Sequence, residues 1–132
     1  MKRSRIVRVI LVVLFATAIG YGGRQLKREV GYNSVLNSYS QDLKPGMSRK
    51  QVEDYLAAKN VDFGGICCIG EKSALTDVTL IGKEGIVFPP LCSTKYVSIT
   101  FQFAAVEPHD PLKGYPSDTL KRITIWRHYD CI

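Results

Sequence analysis

An apolar run with basic residues on both sides constrains this chain more than any other feature of its sequence. The run covers residues 9–23, contains no charged residue, and lies in the part of the chain that carries all of the net charge of +6. Seven Lys and Arg precede residue 31 against one acid, Glu29, whereas the remainder holds eleven bases and eleven acids. Basic residues flanking an apolar helix are typical of membrane targeting. We therefore divide the chain into a signal-anchor segment, residues 1–30, and an exported domain, residues 31–132.

Two interpretations of this segment remain open, an uncleaved anchor and a signal peptide cleaved after Ala18. Fifteen helical residues reach about 22 Å, less than the hydrocarbon core of about 30 Å, but Arg8 and Arg24 can extend to the two interfaces. We favour the anchor, because the apolar core 9–15 is short and further apolar residues follow the small residues at 16–18. Both interpretations export the domain. They place it in the periplasm, either tethered to the inner membrane or released.

The charge distribution also restricts the class of partner. The exported domain is neutral, so the basic character of the whole chain does not indicate nucleic-acid binding. It contains no phosphate-binding loop, dinucleotide fingerprint, nucleophile elbow or zinc-protease motif. We therefore predict a protein that is not an enzyme, with no catalytic residues, no cofactor, no metal and no small-molecule substrate.

Two helices are predicted at the start of the domain. Apolar residues at helical spacing in 32–43 predict the first helix, which Pro45-Gly46 ends. Ser48 and Gln51 form a capping box for the second, which extends to Lys59. Its core-facing residues are Val52, Tyr55 and Leu56, and its water-facing residues are Arg49, Lys50, Glu53 and Asp54.

Short apolar segments separated by Gly and Pro predict strands in the rest of the domain. Two short strands are expected at 77–81 and 85–88, and Gly64-Gly65 is expected to be a turn. Strict alternation predicts a longer strand at 95–104, and a last strand follows at 120–128. The order predicts an α+β fold in which two helices pack on one face of an antiparallel sheet of three to four strands.

Four cysteines, Cys67, Cys68, Cys92 and Cys131, are candidates for disulfides because the domain is exported. Adjacent cysteines rarely bond to each other. This leaves two complete pairings, Cys67–Cys92 with Cys68–Cys131, or Cys67–Cys131 with Cys68–Cys92. The alternative is a thiol-based redox or soft-metal-binding protein that uses Cys67 and Cys68. In the metal-binding version His128 would be a further ligand; in the disulfide version it is an ordinary surface histidine.

Aromatic residues on the strands are the candidates for partner binding. Tyr96, Trp126 and Tyr129 are expected on the sheet face opposite the helices or along its edge. Aromatic side chains on a polar face commonly anchor protein partners. The structural alternative is that they complete a small core beneath the loop at 107–118.

Residues 43–56, LKPGMSRKQVEDYL, resemble the start of the second helix in the SmpA/OmlA (BamE-like) small envelope domains. The resemblance implies two helices followed by an antiparallel sheet, an architecture shared with β-lactamase-inhibitor-like domains. It also implies a non-catalytic adaptor that contacts envelope proteins. This chain departs from those lipoproteins because no cysteine precedes Cys67. We therefore expect a membrane-tethered interaction module whose partner is another envelope protein.

Overall fold

The computed structural model describes residues 2–66, 75–85, 92–105, 110 and 113–131. The chain forms two compact units, Met1–Ser34 and Val35–Ile132. One continuous helix, α1 (Lys2–Asp42), contributes to both of them. The helical stripe predicted in 32–43 is therefore the end of the same helix that contains the apolar run.

The first unit is helical, and residues 6–19 expose apolar side chains on every side of the helix. Its large aliphatic and aromatic side chains between Ile6 and Ile19 are 53–69% exposed. The most apolar 18-residue window of this helix has a mean hydropathy of 2.0, and none of the window is buried. A helix that exposes apolar side chains all round is stable in lipid rather than in water. It fits a membrane anchor or an N-terminal signal.

The second helix, α2 (Arg49–Ala58), begins as its sequence predicts. The Ser48 side chain accepts from the Gln51 N–H at 3.3 Å, and the Gln51 side chain accepts from the Ser48 N–H at 2.9 Å. Gly46, with φ of +94°, makes the turn between the helices in a conformation that favours glycine. Tyr55 of α2 and Lys59, which caps its C-terminus, donate hydrogen bonds to Asp42, and these bonds join the end of α1 to α2.

Four antiparallel strands form one sheet in the order β1-β2-β3-β4. The strands are β1 (Gly64–Ile66), β2 (Thr76–Gly85), β3 (Cys92–Ala104) and β4 (Thr119–Cys131). With the helices on one face, the second unit has the predicted α+β fold. The core between the helices and the sheet contains Tyr39 from α1, Leu43 directly after it, Val52 and Leu56 from α2, and Ile99, Phe101, Phe103 and Leu120 from the sheet.

The strand predictions are corrected at two places. Residues 77–85 belong to one strand rather than two, because the pairing with β3 continues past an irregularity between Leu80 and Gly82. A bulge absorbs one extra residue and lets a strand continue through a glycine. Gly64 and Gly65 are strand residues paired with Val78 and Asp77 rather than a turn. The predicted segment 86–88 lies outside the described residues.

The disulfide joins Cys92 to Cys131. These residues face each other at the end of the β3–β4 ladder, with Cα atoms 4.0 Å apart. Both pairings predicted from the sequence are therefore wrong, since each joined these two cysteines to Cys67 or Cys68. The antiparallel register, which no local pattern specifies, brings them together. A disulfide is typical of an oxidising compartment.

Candidate functional site

The face of the sheet opposite the helices, here called the outer face, carries five rows of paired residues. Alternation along each strand directs every second residue to this face, and the antiparallel register aligns those residues across β2, β3 and β4. The rows, taken along β3, are Gly85–Thr94–Asp130, Lys83–Tyr96–His128, Leu80–Ser98–Trp126, Val78–Thr100–Thr124 and Gln102–Arg122.

Three aromatic rings form a continuous stack at one end of the outer face. The Trp126 and His128 ring centroids are 4.3 Å apart with planes at 21°, and the His128 and Tyr96 centroids are 5.0 Å apart with planes at 12°. The Lys83 ammonium lies 5.5 Å from the centroid of Tyr96 and covers its other face. We call Trp126, His128 and Tyr96 the aromatic stack. Stacking holds each ring in one orientation, so the stack is a rigid part of the surface.

The structure separates the three aromatic candidates. Tyr96 and Trp126 meet through His128, whereas Tyr129 lies on the other side of β4 by alternation and is 54% exposed. His128, which the sequence predicts to be an ordinary surface residue, is half-buried between two rings. The spacing of two residues between Trp126 and His128 is the sequence signal that indicates their shared face.

The row Leu80–Ser98–Trp126 continues the outer face beside the stack. Leu80 is 55% exposed, whereas Ser98 is 2% exposed and Thr100, in the next row, is fully buried. The Thr100 hydroxyl lies 2.8 Å from that of Thr124. The central residues of β3 are therefore covered, and Leu80 provides an exposed apolar side chain on this face.

A cavity of about 740 Å³ lies at the β1–β2 edge of the sheet. Its lining includes Val78, Leu80 and Ser98 of the outer-face rows. It also includes residues on the helix side of the sheet, which are Tyr39, Val61, Phe63, Thr79 and Ile81. The cavity is therefore bounded by the core of the domain as well as by the outer face.

Charged side chains lie at both ends of the outer face. Lys83 and the exposed Asp130 lie in adjacent rows at the aromatic end. Arg122 lies at the opposite end, where its Nε donates to Gln102 Oε1 at 2.5 Å. The five rows thus hold two basic residues and one acidic residue.

A buried ion cluster lies on the other side of the sheet and fixes α2 to it. Arg49, 2% exposed, was predicted to face water, and that prediction is wrong. Its Nη1 donates to Asp77 Oδ1 at 2.6 Å, its Nε lies 3.5 Å from Asp118 Oδ2, and it also donates to the Leu75 carbonyl. The guanidinium lies 4.2 Å from the Phe103 ring centroid.

The main chain around Arg49 brings these partners together. The Arg49 N–H donates to the Asp118 carbonyl at 2.7 Å, and the Lys50 N–H donates to that of Pro116 at 3.2 Å. A Cβ on Gly114 would lie 2.8 Å from Arg49 Nη1, so only glycine leaves room there without displacing the arginine. The first turn of α2, strand β2 and the loop before β4 are thus joined at one charged side chain.

The pKa of Asp77 is raised to about 7, chiefly because burial disfavours its charged form. Arg49 acts in the opposite direction, whereas Glu53 and Asp118 add negative charge that raises the pKa further. One buried cation thus faces several carboxyl groups, and protonation of Asp77 reduces the excess negative charge.

This shift predicts a pH dependence of stability. Because the pKa of Asp77 is higher in the folded chain than its ordinary 3.8, the folded state retains a proton that the unfolded state loses, and stability falls as pH rises from about 4 to about 7. We expect the free energy of unfolding of Asp77→Asn, relative to wild type, to increase across this range and then level off. Urea unfolding at a series of pH values measures the difference; a constant difference between the two proteins contradicts the prediction.

Cys67 and Cys68 lie outside the described residues, as does His109. The thiol-based alternative therefore stays a prediction. Counting free thiols in protein purified without reductant separates it from a purely structural role for the cysteines. Cys131 is disulfide-bonded, so it has no thiolate that could act as a nucleophile with His128.

Comparison with known proteins does not identify a family for this chain. The resemblance of residues 43–56 to BamE-like domains therefore remains an expectation based on the sequence. The chain matches no protein-family model, no curated protein and no solved structure.

Proposed function

We propose that this protein is a single-pass envelope protein whose exported α+β domain binds another protein through its outer face. The apolar helix would hold it in the inner membrane, and the bases before residue 9 would keep its N-terminus in the cytoplasm. The domain would then lie in the periplasm, where the Cys92–Cys131 disulfide is stable. This proposal makes the protein an adaptor without catalytic residues, as the resemblance to BamE-like domains implies.

The observation that carries the proposal is the aromatic stack beside an exposed leucine. Trp and Tyr contribute most to binding when a partner can desolvate them. Here Trp126 lies in one row with Leu80, which is 55% exposed. An exposed leucine at this position has no evident role in the domain's own core, whereas a partner could bury it.

Photo-crosslinking in the native host cells tests this function. A benzoylphenylalanine residue at Leu80 replaces an exposed side chain of the outer face without removing a member of the aromatic stack. We expect it to form a discrete adduct with a protein, whereas the same residue at Ala57, exposed on α2, should not. Adducts with lipid alone, or equal adducts from both positions, would count against a protein-binding outer face.

A further inference from the structure

The edge of the sheet, rather than its face, supports an inference that goes beyond the proposed function and does not depend on it. We propose that β4 pairs with β4 of a second copy of this chain. The two strands would be antiparallel, with Trp126 of each copy at a two-fold axis, and would join two four-stranded sheets into one. The position of β4, its composition and the order of its charges each support one part of this proposal.

β4 is the last strand in the order of the sheet and pairs with β3 along one side. At its start the other side is occupied by the turn between the helices, since the Gly46 N–H donates to the Leu120 carbonyl at 2.8 Å and the Leu120 N–H donates to that of Met47 at 2.7 Å. Over residues 122–130 the pairing with β3 is regular, and the described part of the chain places no strand along the other side. We call this segment the β4 edge. Because an antiparallel strand directs its N–H and C=O groups to both sides, the β4 edge can pair with a further strand.

The composition of the β4 edge favours such pairing. Sheets usually protect an edge from other strands with Lys, Pro or a bulge. The β4 edge contains no Lys, Pro or Gly, and the β4 residue that the ladder with β3 skips, Lys121, precedes it. Residues 123–126 are β-branched or aromatic, which favours strands, and all four are half-buried in the single chain. The segment therefore has the properties of a paired strand on a side where no strand is described.

The charges of the β4 edge determine the register and identify a second copy as the occupant. Arg122 and Asp130 end the edge, and both lie on the outer face. A two-fold axis through Trp126 places Arg122 opposite Asp130 of the second copy, and it does so twice, once at each end. An axis one residue earlier would place Arg122 opposite His128, and an axis one residue later would place Arg127 opposite itself, so both registers lose the pairs of opposite charge. The sequence of the β4 edge is thus complementary to itself when it is centred on Trp126.

The length of the contact is sufficient for a specific dimer. Opposed residues in an antiparallel pair alternately exchange two hydrogen bonds and none, so residues 122–130 of the two copies would form about nine. Specific interfaces typically contain about ten. The two Trp126 side chains would meet on the outer face beside the axis as a cross-strand aromatic pair. The outer faces of the two copies would then form one continuous surface.

Sedimentation equilibrium of the full chain in detergent micelles tests the pairing. We expect a reversible dimer, and we expect Arg122→Asp or Asp130→Arg alone to raise its dissociation constant at least about tenfold, because like charges would face each other at both ends. The swap Arg122→Asp/Asp130→Arg should return the constant to within about threefold of wild type, since every pair again has opposite charges. The matched control, Lys113→Asp, makes the same change of net charge as Arg122→Asp at an exposed residue off the β4 edge and should leave the constant unchanged.

Hydrogen exchange locates the contact in the wild-type chain, where no substitution can disturb folding. Raising the protein concentration through the dissociation constant should slow exchange within residues 122–130 and leave β2 unchanged. Slower exchange in other segments alone would overturn pairing through the β4 edge. The charge variants should fold as wild type does, because Arg122 and Asp130 are both exposed.

Three results of the sedimentation experiment would also overturn the proposal. A wild-type chain that stays monomeric up to about 0.1 mM lacks a specific interface of this size. A dimer that neither single substitution weakens associates through another part of the chain. A swap that does not restore the dimer contradicts the register centred on Trp126. The Leu80 crosslink that tests the proposed function lies two strands away from the β4 edge, so the two proposals can fail separately.

Discussion

Replacing Arg49 with alanine is expected to lower the free energy of unfolding of the exported domain by about 3–5 kcal/mol, because it leaves buried carboxyl groups without their cation. Asp77 and Asp118 are 3% and 0% exposed, so neither can recover the lost interaction from water without opening the structure. The substitution also removes the packing of the guanidinium against Phe103. Urea unfolding of the full chain in detergent micelles, followed by the emission of its single tryptophan, Trp126, measures the loss.

Two further variants separate burial from charge in this prediction. Lys50→Ala removes the adjacent base, whose salt bridge with Asp54 is 66% and 64% exposed, and should change stability by less than about 0.5 kcal/mol. Arg49→Lys should be intermediate, since an ammonium group lacks the planar fork that spans Asp77, Asp118 and the Leu75 carbonyl. Similar effects of Arg49→Ala and Lys50→Ala would contradict a buried, structural ion cluster.

The double substitution Cys92→Ala/Cys131→Ala is expected to lower the free energy of unfolding by about 2–4 kcal/mol. The bond closes a loop with a sequence separation of 39 residues, and its loss gives the unfolded chain more conformations. Its position adds a local effect, because the bond terminates the β3–β4 ladder close to the Tyr96–His128 pair. Urea unfolding measures the global change, and hydrogen exchange measures the local one.

We expect faster exchange in the double variant for residues 94–97 and 127–130, and little change near residues 103 and 120 at the other end of the ladder. Ser93→Ala is the matched control, because it alters an exposed neighbour and keeps the bond. A loss of stability below about 1 kcal/mol, or faster exchange spread evenly over the sheet, would be inconsistent with a disulfide that secures this end of the hairpin.

The elements that could be predicted are those whose signals are local in sequence. The capping box of α2 depends on residues three apart, and Ser48 and Gln51 form it as predicted. The alternation in β3 depends on residues two apart, and Val97, Ile99, Phe101 and Phe103 are all buried. Within the candidate site, Tyr96 and Trp126 share one face, whereas Tyr129, a candidate alongside them, lies on the other side of β4. The spacing of two residues indicates that Trp126 and His128 share a face, but not that the His128 ring lies between those of Trp126 and Tyr96.

The parts that could not be predicted depend on residues far apart in the chain. Arg49 and Asp77 are 28 residues apart, and the helix periodicity around Arg49 gives no sign of the carboxyl groups on β2 and in the loop before β4. In the same way, the continuous pairing of β2 past the glycine at 82 depends on its neighbour β3. In both cases the local pattern predicts the type of element correctly, and a contact with a residue far away in the sequence decides the burial or the length.

The sequence by itself determined the division of this chain into an apolar, basic-flanked helix and a neutral domain, together with the type of most elements in that domain. Those properties follow from charge, hydropathy and short-range periodicity, which act between near neighbours. Only the tertiary structure decided which cysteine bonds to Cys131, that Arg49 is buried, and that Trp126, His128 and Tyr96 form one stack. The physical reason is the register of the sheet, which is set by packing over the whole core and aligns residues that no local interaction connects.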